Sequence, residues 1–585
     1  MKRSPTKDKN VPQAEPGIIL KTLYKCLLAD VCEISGVPLT GAPDVFTHSW
    51  LLQEGPRLDK EILRYLELNP RFEGTPPVIP DWLLPLWEKF VVSNDGKYLR
   101  LLRNLLVFCY KAEYEPTHEQ LKAAQADFEE TDRMVGVWDS SAIAGLPDVP
   151  LIRTARQIVG SVIYRIDWRE IRPHHGPGAV FPSREPSEKS RFSTYYPAIQ
   201  EHYPYDKYFW PLPSFWDEIM VQGTRVPVKE EGRIVAKLVA VPKDSRGPRL
   251  ICVHPAESIW IQQGQRKLLE GAIASCRLIA GKINFTDQTV NSQLALSSSQ
   301  TRELTTLDLS EASDRISSRL VLSLFGEYAY KFLSCSRASH IQLLDGRLME
   351  LRKWAPMGNA LCFPVESLIF YAMVRAGIRC RHGVNCDDVY VFGDDIVFPS
   401  KYYEGAVYGL VSSGAKPNEG KTFRSGFFRE SCGVDAYNGK DVTPFRIRVA
   451  QIASTQDVVS LLDLAKRLRL EGYEHCASAT YGQIRRAGWK LSLCDNPLAQ
   501  GLFEYVKDWR TVLLYEPSMV FNHRGQQQTR VAVRQVKAIL RDCLKDDWYH
   551  LLDSLNNLSF KGGEISDRGT EYPIPYRTRL KYGWA

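Results

Sequence analysis

Residues 389–399, VYVFGDDIVFP, set two short apolar runs on either side of Gly393-Asp394-Asp395. Glycine takes the positive φ of a tight turn without a Cβ clash, so this pattern predicts a β-hairpin with two carboxylates at its tip. Such a hairpin needs a strand to lie against. Residues 303–309, ELTTLDL, offer one: a strand-like run reaching Asp308, followed by SEASDRISSRLVLSLF, whose apolar positions repeat at helical spacing. The interval to Asp394 leaves room for a helix and a return strand beside the first. Asp387-Asp388 forms a rival acidic pair, but it follows HGVNC without symmetrical apolar runs and is assigned to a loop.

Adjacent carboxylates repel one another, and one pKa rises unless something positive neutralises them. A divalent cation would do so. Magnesium takes a few carboxylate oxygens together with water and substrate phosphates, so Asp394 and Asp395 need one or two further acids rather than a cage. Asp308, at a strand end, is the best third acid. Two metals on such a cluster would activate an attacking hydroxyl and stabilise a leaving phosphate oxygen in an in-line displacement. Gly-Asp-Asp alone is a weak signal, since a solvated turn carries it equally well.

Hydrophobic residues make up 44% and charged residues 24% of the chain, ordinary globular usage that excludes a disordered or fibrous protein. The net charge of +7 identifies no partner by itself. Thirteen cysteines are scattered, odd in number and not preceded by a secretory signal, which points to a reducing compartment. No stretch approaches the roughly 18 to 20 apolar residues that cross a bilayer, so no membrane association is expected.

Composition divides the chain into four parts. Residues 1–16 read as a basic mobile tail, and residues 17–235 as an N-terminal helical lobe leading into short strands that include Val226, Val228 and Val235. Residues 236–430 hold the acidic motifs and the cations Lys243, Arg246 and Arg249, whose Gly247-Pro248 break places them on an extended or looped element. Ser454 to Asp457 form a helix-starting cap. The remainder to 585 reads as helical stretches alternating with basic, aromatic-rich loops.

The segments TTLDLSEASD (305–314), PMGNALCFPVESLIFYAM (356–373), VFGDDIV (391–397) and KTFRSGFFRESCGVDAYNGKDVTPFRIR (421–448) resemble, in order, the replicase beta subunit of the single-stranded RNA bacteriophages, the leviviruses. VPKDSRGPRLICVHP (241–255) and INFTDQTVNSQLA (283–295) look like the same family. FRESCG and DVTPF are far more selective than Gly-Asp-Asp. The resemblance implies an α+β right-hand polymerase fold of fingers, palm and thumb, with an antiparallel-sheet palm backed by helices. It sets the catalytic core at about 278–410 and the thumb with a basic C-terminal region in 431–585. The implied activity is RNA-directed RNA polymerase, copying a single-stranded RNA genome from ribonucleoside triphosphates.

Residue by residue, the resemblance implies that Asp308, Asp394 and Asp395 hold two magnesium ions, for which manganese can substitute. Asp314 and Asn359 would lie near the ribose, and Gly358 would admit a close backbone approach to template or nucleotide. Lys243, Arg246 and Arg249 would neutralise the triphosphate, and Lys421 would protonate the departing pyrophosphate. Pro356 and Phe392 replace a hydroxyl-bearing residue frequent in the family at each position. Family members work in the bacterial cytoplasm and assemble with host translation elongation factors Tu and Ts and an RNA-binding ribosomal protein.

Other patterns carry less. Cys380, His382 and Cys386 lack a second pair to complete a zinc site. His174-His175 has no partner acid and reads as structural or RNA-facing, and no phosphate-binding GxxxxGK[ST] loop is present. Arg524, Arg530, Arg534, Lys537 and Arg541, with Tyr576, Arg577, Arg579, Lys581, Tyr582 and Trp584, suit single-stranded RNA. The competing functions are a reverse transcriptase, which shares the acid-tipped hairpin, and an RNA-binding protein with an inactive palm.

Overall fold

The computed structural model describes residues 17–489, apart from 44–45, 143–149, 186–187, 191 and 210–228, together with short strand segments beyond 489. The architecture is α+β, with helices packed around small sheets.

Two hydrophobic cores organise the described residues, and they cut across the expected divisions at 235 and 430. One core is drawn from residues between Phe128 and Ala415. The other joins residues 19–112 to residues 423–484. The helix Pro150–Ile163, assigned by composition to the N-terminal lobe, instead packs against the helix Cys362–His382. That helix is apolar on every side from Pro364 to Ile378 and is buried there at almost every position, the state such a sequence requires. The helix Tyr403–Ser412 lies so close that a Cβ on Gly409 would fall 2.0 Å from the Met373 carbonyl oxygen. A glycine is needed at that crossing.

On this helical bed lies a three-stranded antiparallel sheet, ordered Leu304–Leu307, Asp395–Pro399, Tyr390–Phe392. The expected hairpin therefore forms, and its return strand pairs with the strand that leads to Asp308. A four-stranded sheet, ordered Gly247–Val253, Val235–Asp244, His340–Gln342, Leu348–Glu350, stands nearby.

In the second core, helices Ile18–Ser35 and Gly96–Val107 close on helices Thr455–Leu470 and Glu474–Arg486. Asp30 reaches from the first helix to accept the His475 and Cys476 backbone N–H groups, each at 2.8 Å. A carboxylate there satisfies donors that a helix start leaves open and faces the positive end of its dipole. Arg103, 2% exposed, is clamped between Asp59 at 2.9 Å and Asp435 at 2.8 Å. Ser454 and Asp457 form the expected capping box.

Among the described residues beyond 489, strands stand where helices and basic loops were expected. Arg530–Ala538 pairs antiparallel with Tyr576–Trp584. RVAVRQV intersperses β-branched residues at near-alternate positions, a strand pattern rather than a helical one. Arg530, Arg534, Lys537, Arg577, Arg579 and Lys581 lie on this ribbon, while Arg524 and Arg541 fall outside the described residues, as do Val226 and Val228. No helix among the described residues is long and apolar enough to cross a membrane, and the described cysteines are free.

Candidate active site

Phe392 pairs with Asp395, so Gly393 and Asp394 form a two-residue turn. Gly393 has φ 63°, the sign needed at the first position of a II′ hairpin turn. A Cβ there would also come within 2.4 Å of the Phe363 ring. Turn geometry and packing both select glycine. Across the sheet Ile396 pairs with Leu307, which sets Asp308 beside the hairpin tip.

Lys416–Pro417 pairs with Leu309–Ser310 and carries Asn418 alongside Asp308. The Asn418 backbone N–H donates to the Asp308 carbonyl oxygen at 2.9 Å, and its side-chain Nδ2 donates to Oδ2 at 3.0 Å. Lys421 Nζ stands 3.6 Å from Asp308 Oδ2 and 3.5 Å from Glu430 Oε1. Asp395 turns to the FRESCG hairpin, whose Cys432 N–H donates to its Oδ2 at 3.2 Å and whose Ser431 hydroxyl donates to Oδ1 at 3.5 Å. Cys432 and Gly433 have φ 48° and 79°, the paired positive values of a I′ turn. Arg429, fully buried, donates to the carbonyls of Leu304, Gly426, Phe428 and Arg424, which fastens this hairpin to the central sheet. Asn418, whose type and position suit a turn, is therefore a site residue. Glu430 was not singled out at all, although it sits inside the most selective motif.

The electrostatics are those of an undercompensated acidic cluster. Burial first, then Asp308, push the Asp394 carboxyl up. Burial, Asp394 and Asp308 push Asp395 up to about 7. Burial alone would lower the Lys421 ammonium, but Glu430, Asp308, Asp395 and Asp394 outweigh it and hold it above its usual value. Among the described residues no three Asp, Glu, His or Cys side chains close a metal cage by themselves. An all-oxygen set carrying unrelieved negative charge nevertheless fits magnesium, which keeps waters and takes phosphate oxygens.

Asp314 lies in the short 3-10 turn Ala312–Arg315, 3.7 Å from the ammonium of the fully buried Lys353. Lys353 also donates to the Phe128 carbonyl at 3.1 Å. Asp314 Oδ1 is buried without a hydrogen-bond partner. Glu366, a residue that sequence reading passed over, feels the charges of both Asp394 and Asp314. It is 6% exposed, and burial followed by Asp394 push its carboxyl well up. Asn359 spends its Oδ1 on the Leu361 N–H at 2.8 Å, turning the chain into the helix Cys362–His382. Gly358 does make a close backbone approach, but to the chain itself. Its φ is 110°, and a Cβ would meet the Cys252 carbonyl oxygen at 2.1 Å.

Lys243, Arg246 and Arg249 occupy the hairpin of Val235–Asp244 and Gly247–Val253, in which Asp244 pairs with Gly247 and Ser245-Arg246 makes the turn. Arg246 is bound in a fork to Asp244 at 3.1 and 2.8 Å. Lys243 is pushed down by burial and then by Arg249. His175 packs against Trp260 and Phe192 with ring centroids 5.0 and 5.8 Å away.

An acid-tipped hairpin, a strand-end aspartate and a facing basic hairpin make a site suited to divalent cations and phosphates. Residues 225–472 match the family model described as RNA replicase, beta-chain. The RNA-directed RNA polymerase beta chain of Escherichia phage MS2 is 38% identical over 229 residues, 39% of this chain and 40% of that protein. The RNA-directed RNA polymerase subunit beta of Qbeta virus (strain MX1) is 38% identical over 227 residues, 39% of this chain and 38% of that one. That of Escherichia virus Qbeta is 37% identical over 227 residues, 39% and 37% of the two chains. The family resemblance read from the motifs thus holds over the central segment. The matched region spans about two fifths of the length of these relatives.

Proposed function

We propose that this chain is the catalytic subunit of an RNA-directed RNA polymerase that copies a single-stranded RNA template from ribonucleoside triphosphates. The observation that carries the reading is the register of the central sheet, which brings Asp308 beside the Asp394-Asp395 turn within the segment similar to phage replicases. Asp308 and Asp394, with Asp395 accompanying, would hold two magnesium ions, which supply activation of the primer 3′-hydroxyl and stabilisation of the leaving oxygen.

The chain's own residues do the rest. Asn418 fixes the Asp308 carboxylate, and Ser431 and Cys432 fix that of Asp395. Lys421 is held protonated by the surrounding carboxylates and so can give a proton to the departing pyrophosphate. Lys243, Arg246 and Arg249 meet the triphosphate. Asp314, braced by Lys353, and Asn359 read the ribose 2′-hydroxyl. The central sheet with its helices is the palm of a right hand, with fingers and palm in 236–430 and the thumb beyond 431. The enzyme works in the bacterial host cytoplasm, where host elongation factors Tu and Ts and an RNA-binding ribosomal protein join it.

The test is extension on an RNA template with magnesium, bacterial extract and labelled ribonucleotides or deoxyribonucleotides in parallel. Ribonucleotide incorporation alone is expected. DNA synthesis would make the chain a reverse transcriptase, and binding of RNA without synthesis would make it an RNA-binding protein with an inactive palm.

A further inference from the structure

Cations from three distant stretches of sequence meet on one side of the acidic centre. The loop after the helix Gly96–Val107 is stitched to residues 447–448, with the Ile447 N–H donating to the Phe108 carbonyl and the Glu113 N–H to the Arg448 carbonyl, each at 2.8 Å. The same loop holds the turn of the basic hairpin. The Arg246 guanidinium lies 4.8 Å above the Tyr110 ring centroid, and the Ser245 hydroxyl donates to the Tyr110 carbonyl at 3.5 Å. Gln120, on the helix His118–Ala142, secures that turn by donating to the Ser245 and Arg246 carbonyls at 3.3 and 3.2 Å.

Lys111 Nζ lies 5.4 Å from the same Tyr110 ring centroid, which sets it near Arg246, with Arg446 and Lys243 close enough to act on it. Burial first and then these three cations push its ammonium down to about 8, with Asp244 opposing them. Arg446 spends one nitrogen on Asp435 at 3.2 Å, but its Nε is buried without a partner. The group is continuous with the acidic centre. Lys421 and Arg249 act on both Lys243 and Asp394. A fold that gathers like charges and strands a buried donor has a polyanion to receive, because solvent would otherwise satisfy these groups more cheaply.

We propose that Lys111 and Arg446 complete, with Lys243 and Arg246, a pocket for a polyphosphate chain: the triphosphate of the incoming nucleotide or the pyrophosphate released from it. This inference rests on the polymerase reading for its ligand and extends the phosphate-binding surface to residues well outside the basic hairpin. Among the described residues Lys111 makes no ion pair, so it can be replaced without breaking one.

The experiment is calorimetric titration of the full chain, metal-free in a chelating buffer, with inorganic pyrophosphate, a ribonucleoside triphosphate, a ribonucleoside monophosphate and a short RNA. Wild type, Lys111→Met and Lys111→Arg are compared. Lys111→Met should weaken pyrophosphate or triphosphate about tenfold, as loss of one charge-assisted contact implies, and leave the monophosphate and the thermal midpoint unchanged. Lys111→Arg should keep most of the affinity. Weakening with triphosphate alone assigns the pocket to the substrate, and with pyrophosphate alone to the product. Unchanged affinity for both overturns the proposal, as does a loss confined to RNA. A wild type that synthesises nothing yet binds pyrophosphate through Lys111 would sink the polymerase reading and keep the pocket.

Discussion

Asp59 and Asp435 grip Arg103 at 2.9 and 2.8 Å, whereas Asp308, Asp394 and Asp395 crowd together with Lys421 no closer than 3.6 Å to Asp308. The two acidic groups are near neighbours through the hairpin that runs from Ser431 to Asp435. In the first, the fold closes its own charge. In the second, Asp395 is driven up to about 7 by burial and by its fellow acids, which is strain in the ligand-free protein. A buried acid with a full ionic partner is part of the framework, and one left without is held for something that arrives.

That contrast can be broken at either group. The largest expected effect is on cation affinity. Asp394→Asn should weaken manganese binding, followed by electron paramagnetic resonance with magnesium as competitor, by at least about a hundredfold, since even outer-shell partners of metal ligands cost about 10- to 100-fold. Arg103→Met should leave Asp59 buried and unpaired, with Asp435 held by Arg446 alone, and cost about 3 to 5 kcal/mol in denaturant unfolding. A loss under 1 kcal/mol would show that this cluster, too, is solvated. Asn418→Ala frees the Asp308 carboxylate and should lower nucleotide incorporation about tenfold to a hundredfold, with little change in melting temperature.

The smallest effect reverses sign relative to Arg103. The folded-state pKa of Asp395 is raised, so the folded protein holds the proton more tightly than the unfolded chain. Its ionisation therefore costs stability as pH rises from the unfolded value near 4 to about 7. Asp395→Asn should stabilise the metal-free protein by about 1 to 2 kcal/mol at pH 8, after allowing for its partial exposure, and by almost nothing at pH 4. Thermal melts at both pH values check it, and equal effects at the two would exclude charge as the cause.

The acidic centre was legible because its parts are local. Gly393 between apolar runs dictates a hairpin, and the strand ending at Asp308 has the length and composition to pair with it. The capping box at Ser454 was equally plain. The partners that orient the acids were harder to see. Asn418 looks like any turn residue until Lys416–Pro417 pairs with Leu309–Ser310, and Glu366 reads as one polar position in an apolar helix. Gly358 was expected to lie against template or nucleotide, whereas the neighbour that demands a glycine in the fold, the Cys252 carbonyl, lies on a strand more than a hundred residues away. Farther still, the packing of residues 19–112 on 423–484 and the meeting of Lys111 with Arg446 depend on long-range closure. No periodicity or spacing records that.

The most direct measurement is magnesium-dependent incorporation of labelled ribonucleotides on an RNA template, comparing wild type with Asp394→Asn, each with and without bacterial host extract. The account predicts synthesis by wild type, with extract if not alone, and none above background by the variant under either condition. Equal synthesis by both proteins, or RNA binding without synthesis by wild type in every condition, would contradict it.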